Sequence, residues 1–346
     1  MGRGKQVESG ASGAGDGAEA TALEAPAQAS APTPKRRASR LPPAVQFPLV
    51  VVLSLSLSSL GYSLLNAWSR AGIASIARQS EMNSELALLT AWRIFELALG
   101  WYGDFDSYDL AALNLLSHGP SLFLQVAFYD IDLWTGGACL ALDTLSGSVP
   151  FLLLRPTSGA HSASSSSPPV PNREIILDRG IQTSTAVLSG LIYGTTLFAA
   201  FKTYLPTIFV LYFEGIARVE PAVHTKFGSL LAGVLMLLFG LAAQGFIFAP
   251  FATTGRTRAD AKIAEFDPIS ATLGETLWWN VWGYTTRTKV AIVRTAAVMF
   301  VTWVSTYLQC AMTIKGVESY GAAVYASSWA LAAMLTGLGL EVVGDV

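Results

Sequence analysis

Four ionisable residues stand inside otherwise apolar stretches of this chain: Arg93, Glu96, His118 and Asp143. At the centre of a bilayer such groups cost roughly 2.5–3.5 kcal/mol on insertion scales, and they normally face a partner or a cavity. Arg93 and Glu96 are spaced i, i+3 and can neutralise each other on one helix. Asp143 has no opposite charge on its own stretch. It needs His118, Arg93, Lys202 or Arg294 as a partner, or it stays protonated, since burial disfavours the charged form. His118-Gly119-Pro120 lies mid-stretch, where the proline frees a backbone carbonyl and can kink a helix. A histidine and an aspartate on neighbouring helices can relay protons or form a structural hydrogen bond. The four residues are therefore the candidate intramembrane polar site.

Other chemistry is sparse. Asp104, Asp106 and Asp109 fall in GDFDSYD, which lacks the spacing of a calcium loop and reads as a solvated turn. His118, His161 and His224 are scattered without zinc-protease spacing, so no metal site is expected. Cys139 and Cys310 both fall in apolar stretches and read as free thiols. The chain carries no phosphate-binding loop, nucleophile elbow or dinucleotide fingerprint, so no cofactor is expected.

Such residues matter only if helices hold them in a membrane, and the composition says that they do. The chain has 346 residues, 52% hydrophobic and 13% charged, with a mean hydropathy of +0.45. Soluble proteins carry about 25% charged residues. The net charge of −2 excludes a basic nucleic-acid binder, and two cysteines exclude a disulfide scaffold. A crossing helix needs about 20 residues with few charges. Charge-free stretches at 41–69, 110–129, 180–201, 227–255, 295–314 and 319–340 meet that test. Stretches 86–103, interrupted by Arg93 and Glu96, and 133–154, interrupted by Asp143, have the right length. The fold predicted is an all-α polytopic transmembrane helix bundle of about eight spans. These lie near 45–65, 86–103, 110–129, 133–154, 180–201, 227–251, 292–314 and 319–340. The segment 203–213 is too short to cross and contains Pro206, so it reads as a kinked continuation or a half-buried piece.

Residues 1–44 are a separate region, rich in Gly, Ala, Ser and Pro, without an aromatic residue. They read as a disordered tail, because so little apolar surface cannot offset the entropy of ordering. The tail ends in Lys35, Arg36, Arg37 and Arg40, a basic patch that marks the cytoplasmic side and suits anionic lipid headgroups. Of the sixteen Lys and Arg beyond the tail, eight fall in 155–179 and 256–289, which an eight-span chain places on the same side as the tail, and five in the loops it places opposite. Both termini are then cytoplasmic. Residues 155–179 form a low-complexity loop.

Asp267-Pro268 looks like a helix start, followed by Ile269, Leu273, Leu277 and Val281 every four residues. This predicts an amphipathic helix near 268–282. Its Trp278, Trp279 and Trp282 are candidate anchors in the headgroup layer, with packing on the protein's own spans as the alternative. Stripes of small residues (Ser54, Ser58, Gly61; Gly233, Gly240, Gln244) suit close helix packing or a narrow solute path.

The resulting expectation is a non-enzymatic multi-pass protein that organises or scaffolds an internal membrane, with the lipid bilayer as its partner and no nucleic acid. The alternative is a proton-coupled or channel-like transporter built on Asp143, His118, Arg93 and Glu96. A third reading, a membrane-embedded lipid-modifying enzyme, would rest on His224 and the Asp104 cluster.

Overall fold

The computed structural model describes residues 42–68, 76, 78, 83–161, 170–217 and 230–344. Every regular element among them is helical, apart from an isolated antiparallel bridge between Phe213 and Val317. The long helices are α1 (Pro43–Trp68), α2 (Asn83–Tyr102), α3 (Ser107–Phe128) and α4 (Leu133–Leu154). The short α5 (Arg173–Leu177) precedes α6 (Arg179–Thr203), which runs into α7 (Leu205–Tyr212). Then α8 (Leu230–Ala243) continues through a π turn, Gln244–Phe248, into α9 (Ala249–Thr253). Two short elements follow, α10 (Arg258–Ala264) and α11 (Leu273–Trp282). The chain ends in α12 (Thr286–Leu308), with a π turn at Gln309–Thr313, and α13 (Ser319–Gly344).

Six described helical stretches are long and apolar enough to cross a membrane: Ala44–Ala67, Leu133–Leu154, Arg179–Thr203, Gly233–Thr253, Thr286–Thr313 and Ser319–Gly344. The protein is thus an all-helical chain with the apolar helices of an integral membrane protein. Helices α2 and α3 are comparable in length but fall outside those six. For α2 the reason is composition, since Glu85, Arg93 and Glu96 fall within its 20 residues; for α3 it is position. Helix α3 packs against α4, α8 and α12, and most of its side chains, including Asn114, Ser117 and His118, are buried. A central helix meets protein rather than lipid, so it tolerates polar residues that an outer helix would not.

Pro120 does not break α3. The carbonyl it frees, on Leu116, accepts from Thr302 Oγ1 at 3.3 Å, and Pro120's own carbonyl accepts from Tyr325 Oη at 2.7 Å. Small residues mark the close crossings: a Cβ at Gly190 of α6 would meet the Met236 carbonyl of α8 at 2.6 Å, and one at Gly240 would strike that of Ala186. Gly61 packs α1 against Leu142 of α4. A Cβ at Gly233 would meet nothing within 4 Å, so that stripe is a packing seam only in part.

Connections gather at two ends. At one, the Phe47 ring meets Trp101 and Tyr102, Arg155 bonds the 100–105 carbonyls, and Arg287 reaches the Gly344 carbonyl. At the other, backbone bonds join Lys315 to Ile76, Glu214 to Gly316 and Ala217 to Phe128.

Candidate functional site

Helices α2, α3, α4 and α12 bring Arg93, Glu96 and His118 into one buried polar network. Glu96 is 2% exposed. Its Oε1 accepts from Ser305 Oγ at 2.6 Å and from Trp92 Nε1 at 3.1 Å. Its Oε2 accepts from the Arg93 guanidinium at 3.2 Å. Arg93 also donates to the Asp143 carbonyl (3.0 Å), Ser146 Oγ (3.1 Å) and Asn114 Oδ1 (3.4 Å). The network closes around a carboxyl group that three donors satisfy, which is how a buried polar group is tolerated. The Asn114 amide nitrogen has no partner, an orphan donor beside Gly147.

Of the two alternatives for Asp143, the ion pair is not formed. The Asp143 carboxylate accepts from Tyr62 Oη of α1 at 2.8 Å. Arg93 reaches only its backbone, and the expected ionic partners do not meet its side chain. Nor does it meet His118. The His118 Nε2 lies 3.9 Å from Glu96 Oε2, too far for a direct hydrogen bond, while Nδ1 contacts Ser117 Oγ and the Asn114 carbonyl. A His118–Asp143 relay is therefore not formed. Four clefts between the described helices are lined by other side chains.

The GDFDSYD segment is not a solvated turn. Asp106 and Asp109 are 1% and 0% exposed, while Asp104 stays largely in solvent and pairs with Arg155. Asp106 caps α3 in a reciprocal box with Asp109 and also binds His161 Nδ1 at 2.8 Å. Burial works against charge on Asp106, but its hydrogen bonds from His161 and from the Asp109 and Ser158 N–H groups hold its carboxyl well below the usual range. Burial likewise opposes charge on His161, and the hydrogen bond and charge of Asp106 overcome it and raise its pKa. Ligand atoms of Asp106, Asp109 and His161 lie within 4.8 Å of one another, close enough to hold a metal ion. Both Asp109 oxygens, however, are taken by Arg294, whose charge would repel a cation. This cluster is an ion-pair latch across α3, α12 and the 155–161 segment. The signal for it in the sequence was positional: Asp109 and Arg294 each border an apolar stretch.

The amphipathic helix begins later than Pro268. Asp267 accepts from the Ile269 N–H and Ser270 Oγ in a local turn, and α11 starts after Thr272, which forms a capping box with Glu275. Its apolar side chains point away from the bundle, Leu273 88% and Trp278 66% exposed, as does Ile269 of the preceding turn. Trp279 stacks on Phe266, with 4.9 Å between centroids, and Trp282 lies under the Lys289 ammonium. Asp260 fastens the unit to α12 by accepting from the Thr286 N–H (2.6 Å) and Oγ1 (2.8 Å). Packing on the spans, the alternative reading of this helix, is not what the exposure shows.

The basic patch Lys35, Arg36, Arg37 and Arg40, with His224, lies outside the described residues. No family model, curated protein or solved structure matches the chain.

Proposed function

We propose that this chain crosses an internal membrane eight times, with both termini cytoplasmic, and organises or scaffolds that membrane without catalysing a reaction. The observation that carries the reading is the exposed apolar face of α11 beside the start of α12. A helix that offers Leu273, Leu277, Trp278 and Val281 to its surroundings suits the headgroup layer rather than water. The two-ended gathering of connections supports α2 and α3 as further crossings, α3 shielded from lipid by its neighbours and α2 exposing Leu86, Leu88 and Phe95 as a lipid-facing helix would. The basic tail suits anionic headgroups on the same face.

Reconstitution into vesicles of brominated lipid tests the reading. The tryptophans of α11 should be quenched, and the protein should deform the vesicles at high protein-to-lipid ratio. Leu273→Glu with Leu277→Glu should abolish the deformation. Unaltered quenching in that variant, with vesicles still deformed, would sink it.

A transporter reading keeps one specific support: His118 faces Glu96 inside the bundle. Proton-driven flux in the same vesicles, lost in Glu96→Gln, would favour it over scaffolding.

A further inference from the structure

Between α10, α11 and the first turn of α12 lies a cleft of ≈ 450 Å³. Its lining carries two ammonium groups, Lys262 and Lys289. Neither has a carboxylate within ion-pair distance among the described residues. Aromatic rings line it too: Trp279, stacked on Phe266, and Trp282, whose ring centroid lies 5.9 Å from the Lys289 ammonium. Two carboxylates, Asp267 and Glu275, complete the rim. Each is held in place by its own turn: Asp267 by the Ile269 N–H, Glu275 by the Thr272 N–H at 2.8 Å.

We propose that this cleft binds the headgroup of a zwitterionic phospholipid, with phosphate at Lys262 and Lys289 and the ammonium at the Asp267 and Glu275 carboxylates, beside the Trp278 and Trp279 rings. The assignment rests on the reading of α11 as an interfacial helix. Lysine pairs a phosphate as a point charge, and aromatic faces attract a quaternary or primary ammonium. An anionic headgroup without a cation would meet the lysines but also two fixed negative charges. The carboxylates therefore argue against a simple basic patch. Position argues for a lipid: α11 ends four residues before α12, an apolar helix of crossing length, so the cleft opens where that helix leaves the bilayer. Asp260 holds α10 against α12, so the two lysines come from elements fixed to each other rather than from a free loop.

Native mass spectrometry of the full chain, released from a maltoside detergent, tests the proposal. The probes are equal amounts of short-chain phosphatidylcholine and phosphatidylglycerol, with inorganic phosphate alone and choline alone as separate arms. The expected result is a retained phosphatidylcholine adduct at about tenfold excess over phosphatidylglycerol, a preference of roughly 1.4 kcal/mol. Neither phosphate nor choline alone should form the adduct. Lys262→Gln with Lys289→Gln should lower the adduct about tenfold with little change in the thermal midpoint, since Lys262 is exposed, Lys289 is only half-buried and neither is in an ion pair among the described residues. Equal or greater retention of phosphatidylglycerol, an undiminished adduct in the double variant, or saturable binding of free phosphate would each overturn the site. Quenching of the α11 tryptophans by brominated lipid separates the two ideas. If quenching persists while headgroup preference is absent, the interfacial helix stands and the headgroup site falls.

Discussion

Arg294 of α12 holds both carboxylate oxygens of Asp109, at 2.6 and 3.1 Å, across 185 residues of sequence. The same guanidinium donates to the Phe246 carbonyl at 2.8 Å, inside the π turn that follows α8. It also lies over the Phe105 and Phe246 rings, 5.0 and 4.9 Å from their centroids. One side chain thus ties α3, α8 and α12 together. Removing either partner leaves the other charge buried and uncompensated, at a cost of roughly 3–5 kcal/mol. Asp109→Asn and Arg294→Met should each lower the thermal midpoint strongly in detergent. Asp109→Leu with Arg294→Met should recover most of that loss. If both single variants melt like the parent, the pair is not a structural tie.

The Asp106–His161 pair should make stability depend on pH. The pKa of His161 is raised in the folded protein, so its contribution is complete below the unfolded value near 6.5 and fades as pH rises through the folded value. Asp106 is depressed, so its contribution is complete above about 3.9 and is lost only in stronger acid. The pair is therefore at full strength between about pH 4 and 6.5 and weakens above it. Asp109 and Arg294 act on His161 in opposite directions. Thermal scans of the parent and of His161→Ala should converge from pH 6 towards pH 9. A constant gap between the two would show that His161 contributes packing, against the Tyr108 ring 5.5 Å away, rather than charge.

How far the sequence showed this depends on what each method of reading can see. Gaps between charges located five of the six apolar helices, because lipid excludes charge from residues facing it; the charge-free 110–129 is not one of the six, and 133–154 is one despite Asp143. The same criterion was blind to Asp143's partner: Tyr62 counts as part of an apolar stretch, yet its hydroxyl meets the carboxylate at 2.8 Å. Arg93 and Glu96 were legible as a pair because i, i+3 spacing is local. Trp92 and Ser305, which complete the carboxylate's shell, were not, since Ser305 arrives from a helix 209 residues away. Asp106 and Asp109 looked solvated because a short acidic turn usually is. Their burial follows from His161 and Arg294, brought there by the bundle.

The two carboxylates of the bundle interior should respond differently to neutralisation. In Asp143→Asn the amide oxygen can still accept from Tyr62, so stability should change by about 1 kcal/mol or less. Tyr62→Phe should behave similarly. Arg93→Met leaves Glu96 with only Trp92 and Ser305 as donors and should cost roughly 3–5 kcal/mol, with Glu96→Gln restoring much of it. Rescue of a badly destabilised Asp143→Asn by Arg93→Met would contradict this, since the guanidinium touches only the Asp143 backbone among the atoms of that residue.

Topology offers the last test. The 155–161 and 254–257 segments belong to one end of the bundle: His161 binds Asp106, Asn172 Nδ2 donates to the Ala252 carbonyl at 3.2 Å, and Thr257 meets Thr286. Glu214 and Lys315 belong to the other, joined through Gly316 and Ile76. The proposal of eight crossings puts the first end in the cytoplasm, where the excess of Lys and Arg in 155–179 and 256–289 should hold it. Cysteines introduced at Gly159 and Arg256 should react with an impermeant maleimide only after the membrane is opened to the cytoplasmic side. Cysteines at Glu214 and Lys315 should react only from the opposite side. Background should be low, because Cys139 and Cys310 are buried. Labelling of Gly159→Cys and Arg256→Cys from different sides would require an odd number of crossings between them, and the eight-span arrangement would fail.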